Sequence, residues 1–87
     1  MKCYLCGTNE ALVASGDHED RERIRCLSAN CGDYVISNHA VRRLAEGGLN
    51  RDALIGMVRR ANDKEHLLDI FVAPDGLVQT HEMPMNA

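Results

Sequence analysis

The chain has 87 residues, 45% of them hydrophobic, but no Trp, one Phe and two Tyr. That length allows one core and excludes two independent ones, and the scarcity of large side chains leaves the core thin. Ten basic against thirteen acidic residues give a net charge of −3, which weighs against a protein that holds nucleic acid by bulk phosphate neutralisation.

In chain order, Met1 to Tyr4 reads as a short strand entering the turn Cys3-Tyr4-Leu5-Cys6-Gly7. Ala11 to Ser15 is a second strand, and Gly16-Asp17-His18-Glu19-Asp20 is a polar hairpin tip. Arg21 to Cys26 returns with period-two alternation, placing Arg21, Arg23 and Arg25 on one face and Glu22, Ile24 and Cys26 on the other. Cys26 to Gly32 forms a second cysteine turn, and Tyr34-Val35-Ile36 a brief strand.

Ser37 or Asn38 caps a helix over 39–46, with Ala40, Val41, Leu44 and Ala45 along its inner side and Gly47-Gly48 as its stop. Asn50 caps a second helix whose buried stripe is Leu54, Ile55, Val58 and Ala61. Gly56 weakens this helix by about 1 kcal/mol relative to Ala and suggests a close helix contact. Leu67 to Val72 reads as a strand, turned by Pro74-Asp75-Gly76 into Leu77 to His81. A competing reading prolongs the second helix through Asp63-Lys64-Glu65-His66 to Asp69. Residues Glu82 to Ala87 are expected to fray.

All four cysteines fall within the first 32 residues, in two pairs that each end in Gly. No segment reaches the roughly 18 apolar residues of a membrane span, and the first residues do not form a signal peptide, so a cytosolic location is expected. In that reducing compartment thiolates persist, which favours a metal over a disulfide framework. A Cys-x2-Cys-Gly turn sets both sulfurs on one side with backbone amides pointing at them, and Gly supplies the tight backbone and positive φ. Cys26 and Cys31 are two spacer residues further apart than the commonest turn. Two such turns bring Cys3, Cys6, Cys26 and Cys31 to about 2.3 Å from one Zn²⁺, with iron as the rival ion. Four thiolates leave no position for water, so the ion is expected to be structural. The histidines (His18, His39, His66, His81) are scattered, and there is no glycine-rich phosphate loop, nucleophile elbow or persuasive carboxylate pair, so catalysis is not expected.

Residues 1–36 resemble a zinc ribbon: two cysteine knuckles, each followed by Gly, flank a hairpin, and Tyr34-Val35-Ile36 leaves the second knuckle. The resemblance implies Cys3, Cys6, Cys26 and Cys31 as ligands and spans about two-fifths of the chain. It departs from the commonest knuckle, which carries Pro; here Tyr4 and Leu27 follow the first cysteines. Rubredoxins resemble the same layout but surround iron with more aromatic side chains than Tyr4 and Tyr34 supply. Zinc ribbons serve nucleic-acid binding, protein docking and simple stabilisation alike, so the resemblance speaks to metal and fold rather than role. The expected architecture is α+β: a ribbon over 1–36, then a helical pair and a terminal β-hairpin over 37–87 packed on it as one compact unit.

Two kinds of partner fit. Acidic residues of the second half (Asp63, Glu65, Asp69, Asp75, Glu82) suit docking to a protein, as in small bacterial and phage regulators that occupy or inhibit a larger nucleic-acid-processing complex. Alternatively, Arg21, Arg23 and Arg25, extended by Arg42-Arg43 and Arg59-Arg60, form a stripe for nucleic acid, with the two helices resembling a helix-turn-helix. Against this, Asp52 would stand in the first turn of the recognition helix, and stacking aromatics are absent.

Overall fold

The computed structural model describes residues 2–14, 21–28, 31–47 and 49–84. The elements are β1 (Ala11–Ala14), β2 (Arg21–Cys26), β3 (Asp33–Ser37), α1 (Asn38–Ala45), α2 (Arg51–Asp63), β4 (His66–Val72) and β5 (Val78–Pro84). The five strands form one mixed sheet in the order β1-β2-β3-β4-β5. Every neighbouring pair is antiparallel except β3 and β4, which run parallel with Tyr34 opposite Leu68 and Ile36 opposite Ile70. Parallel neighbours need a crossover, and here it is made by the two helices, which lie on one face of β3 and β4. The two halves of the chain are therefore joined in the middle of a single sheet.

Side-chain alternation sorts the sheet into two faces. Ile24, Tyr34, Ile36, Leu68 and Ile70 pack against Ala40, Leu44, Leu54, Val58 and Ala61 of the helices. Leu54, Val58 and Ala61 recur at helical spacing, which is why α2 buries that stripe. Ala45, expected on the inner side of α1, is exposed. The opposite face carries Arg21, Arg23 and Arg25 beside Asp33, Val35 and Asp69.

Local chemistry sets the boundaries. Ser37 is the cap of α1, its Oγ accepting from the Ala40 N–H at 3.1 Å, and Asn50 caps α2 in the same way through Ala53. The second helix stops at Asp63; Glu65 takes φ 59, and β4 begins at the next residue. The chain 66–72 is thus strand, not a continuation of the helix. Ala73 donates to the Leu77 carbonyl and Gly76 (φ 83) to that of Ala73, closing the loop between β4 and β5.

Three expectations change. Lys2 and Cys3 are not in a strand, because the Cys3 N–H bonds to the Thr8 carbonyl inside the first cysteine turn. Glu82, Met83 and Pro84 do not fray but complete β5 against Leu68, Leu67 and His66. Gly56 marks no close helix contact: a methyl group there would meet only Arg60 Nη1 at 3.5 Å. The expected hairpin tip at 16–20 and the last residues 85–87 lie outside the described residues. Among the described residues, no helix is long and apolar enough to cross a membrane.

Candidate metal centre

The four cysteines meet at one end of the sheet, where β1 begins, β2 ends and β3 begins. Cys3 and Cys6 come from the loop before β1, Cys26 is the last residue of β2, and Cys31 precedes β3. The first turn is closed by Gly7 N–H to the Cys3 carbonyl at 3.1 Å, with Gly7 at φ 76. The second is closed by Cys31 N–H to the Ser28 carbonyl at 3.2 Å and by Cys26 N–H to the Gly32 carbonyl at 3.4 Å.

All four Sγ atoms lie within 4.8 Å of one another. Cys3 and Cys31 are 3.9 Å apart, Cys6 and Cys26 3.5 Å. Both distances are far beyond a disulfide bond of about 2.0 Å, and all four thiols are free. Four sulfurs on a tetrahedron about 2.3 Å from a central ion would be about 3.8 Å apart, so the two measured separations bracket that geometry. The donor set and its spacing fit a single ion, with every coordination position filled by sulfur.

The backbone favours thiolates, while burial and the crowding of sulfurs oppose them. The backbone N–H groups of Leu5 and Cys6 point to Cys3, that of Ser28 to Cys26 and that of Gly32 to Cys31, each favouring the charged sulfur. Cys3 receives the most help: the Cys31 thiol and then the Tyr34 hydroxyl bond to it, and its pKa falls to about 4 despite burial. Its neighbours move the other way. Burial above all, with the nearby sulfurs, lifts Cys26 to about 11, and donation to Cys3 followed by burial lifts Cys31 upward as well. Four crowded sulfurs without a cation share protons; a divalent cation among them removes the repulsion that keeps those protons on.

The described histidines stand apart from this cluster. His39 and His81 are exposed, His66 bonds to Glu82 at 3.0 Å, and His18 falls outside the described residues. Two other residues complete the centre and carried no cysteine-like signal in the sequence. Tyr34 is fully buried with its hydroxyl 3.2 Å from Cys3 Sγ. Asn62, at the end of α2, accepts from the Asp33 N–H at 2.8 Å and donates to the carbonyls of Asp33 and His66 at 3.0 and 2.9 Å. It thereby ties the strand leaving the second turn to the start of β4. A polar residue four positions after buried Val58, on the same helix face, was its one trace in the sequence. Gly32 serves this clasp rather than a positive φ: a Cβ at Gly32 would fall 2.1 Å from Asn62 Oδ1.

The other candidate binding residues separate into distinct places. Arg21 is ion-paired with Asp69 and lies over the Phe71 ring, 5.5 Å from its centroid. Arg23 and Arg25 both face Asp33, at 3.6 and 3.8 Å. Glu22, on the other face of β2, accepts a hydrogen bond from the Tyr4 hydroxyl at 3.3 Å. Asp69 is only 4% exposed, whereas Asp63 and Glu65 are open to solvent near the end of α2. Arg42, Arg43, Arg59 and Arg60 are on the helices, across the sheet from the strand arginines, so the seven do not form one stripe.

Compared with known proteins, the chain matches no family model, no curated protein and no solved structure.

Proposed function

We propose that this chain is a zinc-stapled protein-binding module, non-enzymatic, whose ion fixes the fold and whose surface docks a protein partner. Zinc suits a closed set of four thiolates, redox-silent and tetrahedral, held by Cys3, Cys6, Cys26 and Cys31. Its chemistry when bound would be that of a cross-link between the two cysteine turns. The cytosol, where thiols stay reduced, is the compartment in which such a site persists.

The observation that carries the protein-partner reading is the pairing of the strand arginines with Asp33 and Asp69. These two carboxylates offset much of the charge of the three arginines, so fewer counterions would be released on meeting phosphate and the alternative of a nucleic-acid-binding regulator draws less affinity from this face. Exposed Asp63 and Glu65 leave room for the narrower form of the reading, a regulator or inhibitor of a nucleic-acid-processing complex.

The test has two arms. Metal analysis of protein purified without added metal should return one zinc per chain and no iron absorption; a folded chain without stoichiometric metal refutes the staple. Binding to labelled duplex DNA and single-stranded RNA should be weak and nearly flat with salt. Tight binding that falls steeply as salt rises, and disappears with Arg23→Ala plus Arg25→Ala, would establish the nucleic-acid alternative instead.

A further inference from the structure

The sheet ends in β5, and among the described residues no strand pairs with its outer side. The hydrogen-bond phase of that edge follows from the loop before it. Ala73 N–H bonds to the Leu77 carbonyl, which makes those two the first hydrogen-bonded pair of the hairpin. Alternating from there, Gln79, His81 and Met83 direct their backbone groups to β4, while Val78, Thr80 and Glu82 direct theirs outward. Pro84 falls in the outward phase, where its missing N–H costs no ladder bond.

The side chains of Val78, Thr80 and Glu82 lie on the helix face of the sheet, opposite Val72, Ile70 and Leu68. Alongside them runs α2, and between helix and strand lie two hollows. One, of about 580 Å³, is lined by apolar groups including Leu49, Leu54, Met57, Leu77 and Val78. The other, of about 540 Å³, is bounded by Met57, Arg60, Lys64, Thr80 and Glu82. They share Met57 and Thr80, so they form one trough, apolar at the start of β5 and cationic toward its end. Each volume is within the ~300–1,000 Å³ range of ligand sites. Lys64 is bonded to Glu82, at 3.2 Å; among the described residues Arg60 has no ion-pair partner.

We infer that the α2/β5 trough binds an extended segment of a partner protein, which adds antiparallel to β5 as a sixth strand. The occupant is a peptide with an acidic side chain followed, at the next two same-face positions, by apolar ones. Antiparallel pairing runs the guest from the Arg60 end toward Leu77, so its carboxylate comes first and meets Arg60. Alternation then carries the apolar side chains into the hollow over Leu54, Met57 and Val78. Main-chain bonds to Val78, Thr80 and Glu82 supply affinity, and the charge and apolar pockets supply sequence preference. This deepens the protein-binding reading proposed above and rests on it.

The experiment is selection of a displayed random-peptide library on the zinc-loaded full chain, followed by titration of the enriched peptide with amide shifts read by NMR. The expected consensus is acidic–any–apolar–any–apolar, with the largest shifts at Val78, Thr80 and Glu82. Thr80→Pro removes an outward N–H at the phase where Pro84 is already accommodated, so the β4–β5 ladder should survive and peptide affinity should fall about tenfold or more. Arg60→Glu should turn the preference from acidic to basic at the first position. The inference is overturned if enriched peptides keep their affinity in Thr80→Pro, shift residues elsewhere, or are absent, or if sedimentation shows a dimer of this chain that Thr80→Pro converts to monomer. Peptides bound elsewhere would leave protein binding standing; no peptide together with salt-sensitive nucleic-acid binding would remove both.

Discussion

The Tyr34 hydroxyl lies 3.2 Å from Cys3 Sγ, so the largest fully buried side chain of the core is hydrogen-bonded to the four-cysteine cluster. Burial first, then Cys3, pushes the phenol above its ordinary pKa, which keeps it neutral and able to donate. Groups that hydrogen-bond to metal ligands commonly change metal affinity by 10–100-fold when removed, by orders of magnitude known from other sites. Tyr34→Phe keeps the ring and deletes the donor. It should leave the fold intact and weaken zinc by about tenfold, measured by competition with a chromophoric chelator. Unchanged affinity would mean the hydroxyl is only filling space.

Metal removal should act on the sheet end before the helices. Without an ion, Cys26 (about 11) and Cys31 (raised) hold protons at neutral pH. Each must lose its proton to become a ligand, so zinc uptake releases at least these two, and affinity falls as pH falls. Calorimetry in buffers of different ionisation enthalpy should report that release. Chelation at pH 7 should expose thiols to a colorimetric reagent and collapse the amide spectrum of residues 2–14, 21–28 and 31–36. Retention of that spectrum in the chelated protein would show the cysteine turns to be self-supporting.

Much of this was legible because it is local. The alternation of Arg21 to Cys26, the caps Ser37 and Asn50, and the spacing of the cysteines each depend on neighbours within a few residues. The parallel join of β3 to β4 was not, since it pairs Tyr34 with Leu68 across two helices. The partner of Arg21 was hidden for the same reason, since Asp69 is 48 positions away, whereas Asp33 is near Arg23 and Arg25 in the chain but meets them only through the β2–β3 register. Helix-end chemistry left two readings open after Ala61, of which the strand is the one observed. Glu65 takes a left-handed conformation that Gly or Asn more often fills, so no residue announced the end of α2.

Gly56 offers a gain in stability. It is inside α2, where glycine costs about 1 kcal/mol relative to alanine through backbone entropy. A methyl group there would touch only Arg60 Nη1 at 3.5 Å, an ordinary contact with a flexible group. Gly56→Ala should therefore raise stability by about 0.5–1 kcal/mol in urea unfolding of the zinc-loaded protein. A loss would reveal a packing demand at this position.

Gly32 and Asn62 should behave as one unit. Asn62→Ala removes three hydrogen bonds and leaves the Asp33 N–H and the His66 carbonyl to find water or go unpaired, at about 2–3 kcal/mol. Gly32→Ala places a methyl group on Asn62 Oδ1, so the clasp must open or β3 must shift. The cost should be of the same size, because the same bonds are lost. Once the amide is gone the methyl group has more room, so the double variant should cost much less than the sum of the singles, with a coupling of about 1–2 kcal/mol. Urea unfolding of the four zinc-loaded proteins measures it. Additive costs would mean that Gly32 is needed by the second cysteine turn on its own account, and that Asn62 does no more than tie β3 to β4.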